Sequence, residues 1–356
     1  RSKTNFDGGK AMKKLGACGT HRVSEPLGAL PQSGKKLDNE MICYDNEILC
    51  EVETLNIDSA SFTQIRQACH DDLEKMKAMI LSIVETQGKM QNPVTGSGGM
   101  FLGKVKTIGK KMNPDVEVGD AIASLVSLSL TPLHIKAIKA IHLEKDQVDI
   151  VGEAILFETG IFAIIPQDLT PHLVLATLDV SGAPAQVSKL VQKGDDVLIL
   201  GAAGKSGLLV SYQARKRSDT GKLLGVVYNE QEKADLEMLR VCDEIIVGDA
   251  RQPMAIYEEV IKRNGGPVDI TINVVNVENT EMTSILPTKN DGIVYFFSMA
   301  TSFTKAALGA EGIASEAQMI IGNGYTKGHA ELALNILRES PEIYTLFEKR
   351  YGKESL

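Results

Sequence analysis

The chain's 356 residues are 43% hydrophobic and 24% charged, a balance typical of a folded globular protein and far from that of disordered or fibrous sequences. A net charge of −8 argues against a nucleic-acid partner, which would require a clustered basic surface. No apolar run approaches the roughly 18 residues of a membrane-spanning helix, so no membrane partner is expected.

The first half of the chain predicts short strands. Alternating apolar residues predict a strand at 47–55, and helical spacing predicts a helix at 71–87 capped by Asp71. Further strands are predicted at 103–109 and within 154–166. Short strands separated by Gly and Pro turns favour a small β-barrel.

After Pro171 the pattern changes to strands that alternate with helices. Strands are predicted at 197–200, 223–228, 244–247, 269–275, 292–297 and 319–322. Helices are predicted at 172–192, from 205, and at 230–239, 254–264 and 328–337. This alternation favours a doubly wound parallel sheet, which places the chain in the α/β class.

A chain of this length is expected to divide into two domains, because single cores stop growing near roughly 250–300 residues. We predict a catalytic barrel domain over residues 1–170, completed by 326–356, and a dinucleotide-binding domain over 171–325. Residues 1–11 are interpreted as a disordered arm or an expression remnant. The five cysteines are odd in number and form no Cys-x-x-Cys pair, which favours free thiols in the cytoplasm.

A glycine-rich turn follows the apolar strand at 197–200. A dinucleotide pyrophosphate needs a strand-to-helix turn without side-chain bulk and a helix N-terminus aimed at it, and three glycines supply that turn. A tight turn without a ligand is the alternative. The candidate cofactor contacts are Gly201, Ala203, Gly204, Lys205, Ser206 and Gly207.

The coenzyme could be NAD or NADP. NAD-binding turns have an acidic residue at the end of the second strand for the ribose hydroxyls, and this chain has Tyr228 and Asn229 there. Lys233 lies one helical turn further on and could approach a 2′-phosphate, although a solvated lysine is the simpler interpretation. Ser298, Met299 and Ala300 follow the fifth strand, where the nicotinamide carboxamide could bind; Met299 could equally fill the core.

The order of these features, with Val118, Gly119 and Asp120, resembles the medium-chain dehydrogenase/reductase superfamily over nearly the whole chain. Stretches 19–23, 55–65, 89–99 and 296–309 resemble, more specifically, the zinc-free family of L-erythro-3,5-diaminohexanoate dehydrogenases. The resemblance implies a GroES-like catalytic barrel, a Rossmann cofactor domain and NAD(P). It also implies oxidative deamination of L-erythro-3,5-diaminohexanoate to 5-amino-3-oxohexanoate and ammonia, in anaerobic lysine degradation.

The chain departs from the zinc-dependent members of that superfamily. Gly98, Gly99 and Met100 stand where those enzymes have a Gly-His-Glu, and Asp58 takes the place of their first Cys ligand. No metal is therefore expected. Deamination needs a base more than a Lewis acid, because the substrate ammonium must first lose a proton.

Asp58 is the first candidate for that base, since the family register places it at the nicotinamide, and Ser59 beside it is a further catalytic candidate. An Asx turn that caps the following segment is an equal alternative for Asp58. Asp179 is the second candidate, because an unpaired carboxylate would be costly in its apolar helical surroundings.

Substrate-binding candidates lie in the barrel half. Arg22, beside His21, could form a bidentate pair with the substrate carboxylate, although a surface ion pair with Glu25 is slightly favoured. Glu153 could contact the second amine, although a strand-edge carboxylate is usually only solvated.

Competing functions are a zinc-independent quinone or enone reductase and a catalytically silent cofactor-binding protein. The expected partners are a small diamino acid substrate and a second copy of the chain, since a homodimer is the commonest closed assembly.

Overall fold

The computed structural model describes residues 16–352, so the N-terminal arm predicted at 1–11 lies outside the described residues. It has an antiparallel sheet built by the first half of the chain and a parallel sheet built by the second half. Within residues 16–352, no helix is long and apolar enough to cross a membrane.

The antiparallel sheet has the order β6-β7-β3-β4-β5-β8, and β1 pairs with β2 beside it. The strands are β1 (Val23–Glu25), β2 (Lys36–Leu37), β3 (Glu47–Asn56), β4 (Met100–Ile108), β5 (Ala121–Ser124), β6 (Leu133–His142), β7 (Gln147–Phe157) and β8 (Phe162–Ile164). Two helices, α1 (Ser59–Cys69) and α2 (Leu73–Gln87), follow β3. Ile48, Val52, Phe62, Ile80 and Phe101 belong to the core between these helices and the sheet.

The predicted strand at 47–55 and the predicted helix at 71–87 are confirmed, but the predicted cap of the helix is wrong. Asp72, not Asp71, caps α2 by accepting hydrogen bonds from the N–H groups of Glu74 and Lys75. Asp71 has a left-handed backbone with φ of 57° and pairs with Arg66.

The parallel sheet has the order β11-β10-β9-β12-β13-β14. Its strands are β9 (Val197–Leu200), β10 (Leu223–Val227), β11 (Glu244–Val247), β12 (Val268–Asn273), β13 (Thr288–Phe296) and β14 (Gln318–Ile321). The helices of this half are α3 (Pro171–Leu178), α4 (Gly182–Leu190), α5 (Lys205–Ser218), α6 (Glu230–Leu239), α7 (Pro253–Asn264), α8 (Glu281–Ile285), α9 (Phe303–Gly312), α10 (His329–Glu339) and α11 (Pro341–Phe347). The strand order reverses beside β9, and open α/β sheets bind ligands at such a switch point.

The single helix predicted at 172–192 is divided into α3 and α4. Pro184 lacks an N–H and cannot bond the carbonyl of Val180, so a continuous helix is interrupted there. The Ser181 hydroxyl donates to the Leu178 carbonyl at 2.8 Å and satisfies one group freed by the break. The break places Asp179 directly after α3, as the C-cap of that helix.

The C-terminal helices pack beside the parallel sheet. The sequence assigned residues 326–356 to the barrel domain, whereas α10 and α11 contact α3, α4, α5 and α6. Leu334, Leu337 and Phe347 share a core with Val197 and Ile199 of β9. Residues 353–356 lie outside the described part of the chain.

Candidate active site

A cleft of about 640 Å³ lies between the turn that follows β3 and the carboxyl edge of the parallel sheet. Residues that follow β9, β10, β11, β12 and β13 all line it, as expected for a ligand site in an open α/β sheet. The volume is in the usual range for small-molecule sites, roughly 300–1,000 Å³.

The glycine turn forms the floor of the cleft. Gly201 has a φ of 81°, which favours glycine, and a Cβ on Gly207 would lie 2.0 Å from the Gly201 carbonyl oxygen. Gly204 is the N-cap of α5 and offers no side chain to bond the first N–H groups of that helix. The turn therefore leaves backbone donors at a helix N-terminus on the cleft, which suits a phosphate group.

Asp58 follows β3 of the antiparallel sheet, lines the cleft and is also a helix cap. Its Oδ1 accepts the Ser61 N–H at 3.0 Å, so the predicted capping role is real. Its Oδ2 is buried and has no hydrogen-bond partner among the described residues. One oxygen is thus bonded to the backbone, while the other has no donor among the described residues.

Two adjacent glycines allow close backbone contacts, and one of them contacts Asp58. A Cβ on Gly99 would lie 2.8 Å from the Asp58 N and 2.0 Å from the Asn56 carbonyl oxygen. A Cβ on Gly98 would lie 2.2 Å from the Met90 carbonyl oxygen. Gly99, which stands in place of the His of the zinc enzymes, and Gly98 before it therefore have a packing reason.

An ion pair lines the same cleft as Asp58. The Lys205 ammonium is 2.6 Å from Asp179 Oδ2, and both side chains are almost buried. Burial by itself lowers the pKa of Lys205, but the charges of Asp179 and Asp146 raise it above its usual range overall. Asp179 therefore has the partner that its burial requires, and Lys205 is charged.

Asp146 was not predicted and interacts electrostatically with both members of this pair. Its Oδ2 accepts the Ser59 hydroxyl at 2.8 Å, so the Ser59 proton is already engaged. Burial raises the pKa of Asp146 above its usual range, and the Lys205 charge opposes that rise. Asp146 follows a strand in a turn with φ of 57°, and no sequence motif pointed to it.

The far end of the cleft contains charged residues that sequence reasoning missed. Glu232, Asp249 and Arg251 line it together with Tyr228. The Arg251 guanidinium forms a two-pronged contact with Asp249, at 2.9 and 2.7 Å. The position of Asp249 and Arg251 after β11, at the carboxyl edge of the sheet, could have identified them.

The structure divides the predicted site residues into two groups. The cleft is lined by Asp58, Ser59, Asp179, Gly201, Gly204, Lys205, Ser206, Tyr228, Ser298 and Met299. Those that do not line it are His21, Arg22, Glu153, Ala203, Gly207, Asn229, Lys233 and Ala300. Further lining residues not predicted include Asn276, Phe297 and Gly324.

The substrate-binding prediction for His21 and Arg22 is corrected by their contacts. Arg22 is fully buried, and its Nε and Nη2 donate to the two oxygens of Glu47 at 2.8 and 2.7 Å. His21 Nε2 lies 2.7 Å from the same carboxylate. Burial by itself raises the pKa of Glu47, but hydrogen bonds from Arg22 and His21 lower it overall. These side chains join the N-terminal segment to β3, and the ion pair proposed with Glu25 is also wrong.

Glu153 and Lys233 are likewise engaged elsewhere. Glu153 pairs with Lys106 at 2.7 Å and Lys136 at 3.0 Å on the antiparallel sheet. Lys233 lies 3.8 Å from Glu230 and 3.9 Å from Glu237 along its own helix. Neither side chain is directed at the cleft.

Two relatives share most of this sequence. A protein of Acetoanaerobium sticklandii named L-erythro-3,5-diaminohexanoate dehydrogenase is 57% identical over 94% of this chain and 98% of its own length. One of Fusobacterium nucleatum with the same name is 55% identical over 96% of this chain and all of its own length. The chain belongs to the L-erythro-3,5-diaminohexanoate dehydrogenase family. It is a dehydrogenase, and the family resemblance found in the sequence is confirmed.

The family model for the N-terminal domain of these dehydrogenases matches residues 21–166. Among solved structures, the quinone oxidoreductase of Coxiella burnetii superposes with a TM-score of 0.54 at 17% identity, over 84% of this chain and 81% of that one. A mycobacterial protein complexed with NADPH superposes with a TM-score of 0.51 at 16% identity, over 83% of this chain and 79% of that one. At these identities the likeness concerns the fold, and it confirms the predicted α/β fold class.

Proposed function

We propose that this dehydrogenase catalyses the NAD(P)-dependent oxidative deamination of L-erythro-3,5-diaminohexanoate to 5-amino-3-oxohexanoate and ammonia. The observation that supports it most is the buried, unpaired Oδ2 of Asp58 at the cleft. A buried carboxylate oxygen without a donor is costly, and a substrate ammonium would supply both the donor and the opposite charge. The names of the two relatives support the same substrate.

The coenzyme assignment is supported by the fit of the glycine turn to a pyrophosphate. Gly201, Gly204, Lys205 and Ser206 line the cleft at the N-terminus of α5, and a side chain at Gly207 would collide with the turn. Ser298 and Met299 line the same cleft and would contact the nicotinamide end. Bound there, a nicotinamide would accept the hydride that leaves the carbon bearing the reacting amine.

Asp58 would act as the base. An ammonium with a pKa near ~10 is protonated at neutral pH, so the reacting nitrogen must pass a proton to Oδ2 before hydride can leave. The Ser61 N–H holds Oδ1 and fixes the plane of the carboxylate. After oxidation the carbon–nitrogen bond is an iminium. Asp58 would release its proton to solvent, take a proton from the water that adds to the iminium carbon, and pass it to the nitrogen. Ammonia would depart as the new hydroxyl loses its proton and becomes the carbonyl.

Asp179 would be the second anionic contact, for the amine that does not react. Lys205 donates to one of its oxygens, so the carboxylate can receive an ammonium with the other. Ser59 is best regarded as a positioning residue, because its hydroxyl donates to Asp146 rather than to the cleft.

The test is Asp58→Asn, with Asp72→Asn as the matched control. Asn caps helices about as well as Asp, so both variants should keep their helices while only the first loses a base at the cleft. Without added metal, NAD(P)H formation from the diamino acid should fall by about 10²–10⁴-fold in Asp58→Asn. Asp72→Asn should retain wild-type rates.

The competing functions predict different results. A quinone or enone reductase would show no NAD(P)H formation from the diamino acid but would turn over a quinone, and Asp58→Asn would leave that rate intact. A silent cofactor-binding protein would bind coenzyme and turn over neither substrate. Either result contradicts the proposal.

The finer expectations stay predictions. They are a role in anaerobic lysine degradation, a cytoplasmic location, independence of metal and a homodimer. Across residues 16–352, no three His, Cys, Asp or Glu side chains are grouped as a metal ion would require.

A further inference from the structure

We infer that Glu232 makes this enzyme prefer NAD over NADP, acting as the acidic residue that the end of the second parallel strand lacks. The inference rests on the proposed coenzyme site, and it names the residue that selects between the coenzymes. It concerns a charge at the far end of the cleft, away from the reacting centre.

A reciprocal capping arrangement brings Glu232 to the strand end. The Asn229 side chain accepts the Glu232 N–H at 2.9 Å, and Glu232 Oε2 accepts the Tyr228 N–H at 2.8 Å. This is a variant of the capping box, in which the third residue of the helix bonds the N–H one residue before the N-cap Asn229. The carboxylate therefore lies beside Tyr228, the first residue after β10, and lines the cleft.

The capping contact leaves half of the carboxylate available. Only Oε2 is engaged, and Oε1 accepts no hydrogen bond from the part of the chain that the structure describes. The adenosine ribose of NAD offers two hydroxyl donors to such an oxygen. NADP offers a phosphate dianion in place of one of them, which the carboxylate repels.

The neighbouring charges strengthen this selection. Asp249 adds a second carboxylate, and its two oxygens accept hydrogen bonds from Nε and Nη2 of Arg251. Arg251 is the cation that lines this end of the described cleft, and its charge is offset by that pair. Lys233 is directed along its helix instead. The far end of the cleft therefore has a net negative charge where a 2′-phosphate would lie.

Glu232→Gln tests the inference, because the amide oxygen can still accept the Tyr228 N–H while the charge is lost. Glu230→Gln is the matched control, since Glu230 occupies the same helical turn, is highly exposed and does not line the cleft. Dissociation constants of NADH and NADPH are measured by calorimetry on the full chain. Wild type should bind NADH more tightly, and Glu232→Gln should shift the ratio of the two constants toward NADPH by about tenfold.

A second variant, Asp249→Asn, should shift the ratio in the same direction, because it removes a negative charge and frees Arg251. A purely structural role for the capping box predicts an unchanged ratio in Glu232→Gln, and that result would overturn the inference. So would a wild-type preference for NADPH, or an equal shift in Glu230→Gln. If the preference follows Glu232 but no diamino acid is oxidised, the proposed reaction fails and the coenzyme inference stands.

Discussion

Replacing Arg22 with Lys should destabilise the protein without weakening substrate binding. Arg22 is fully buried, and its guanidinium donates to both oxygens of Glu47 and to the carbonyls of Glu40 and Ile42. A lysine keeps the charge but has a single side-chain nitrogen. That nitrogen cannot donate at the same time to both oxygens of a carboxylate and to two separate carbonyls. Glu47 would remain buried with fewer donors.

The expected loss is about 2–4 kcal/mol in the free energy of unfolding. Removing a partner entirely from a buried ion pair costs about 3–5 kcal/mol, and retaining a charge recovers part of that. At roughly 2–4 °C per kcal/mol for a domain of this size, Tm should fall by about 5–15 °C. The Michaelis constant for the diamino acid should stay unchanged, because Arg22 does not line the cleft.

Thermal denaturation and steady-state kinetics on the same preparations test this. Arg66→Lys is the matched control, since Arg66 pairs with Asp71 at a partly exposed site where an ion pair contributes about 0–1 kcal/mol. A raised Michaelis constant in Arg22→Lys with an unchanged Tm would refute the structural role and reinstate Arg22 as the substrate-carboxylate contact.

Two further predictions concern a buried lysine and the glycine turn. Burial lowers the pKa of Lys89 from 10.5 to about 8, so the unfolded chain binds more protons in that interval and stability should rise with pH from about 8 to 10.5. Lys89→Met should abolish this rise and add about 2 kcal/mol at pH 7; equal pH slopes of unfolding free energy in both proteins would contradict the reasoning. Gly207→Ala should weaken NADH binding by at least about tenfold, because its Cβ would lie 2.0 Å from the Gly201 carbonyl oxygen. Gly312→Ala, with no atom within 4 Å of its Cβ, is the control, and equal NADH affinity in the two variants would count against a role for the turn.

Local sequence patterns predicted the features that depend only on residues close together in the chain. The strand at 197–200 was predicted from its run of apolar residues, and the turn from Gly201 to Gly207 was predicted from its glycines. Both signals lie in adjacent residues. The capping box of Asn229 and Glu232 was readable by the same rule and was overlooked. The break between α3 and α4 was also signalled locally, by Pro184.

Side-chain partners were not predictable in this way. Arg22 was predicted to bind the substrate because the sequence does not show that its guanidinium donates to Glu47, 25 residues away. Asp146 is joined to Ser59 across 87 residues, and no motif links them. Long-range electrostatic pairs depend on how the sheets fold back, so only tertiary structure reveals which charges are free to act.

The sequence by itself determined the α/β architecture, the glycine turn and the family, because periodicity, turn chemistry and resemblance are properties of contiguous residues. The tertiary structure decided which of the candidate side chains reach the cleft. Asp58, Asp179 and Lys205 line the cleft together, and Glu232 lies at the end of β10. Arg22 and Glu153 instead form ion pairs away from the cleft. The physical reason is that a charged group acts on a ligand only when folding leaves it without a partner of its own or directs it into the cleft.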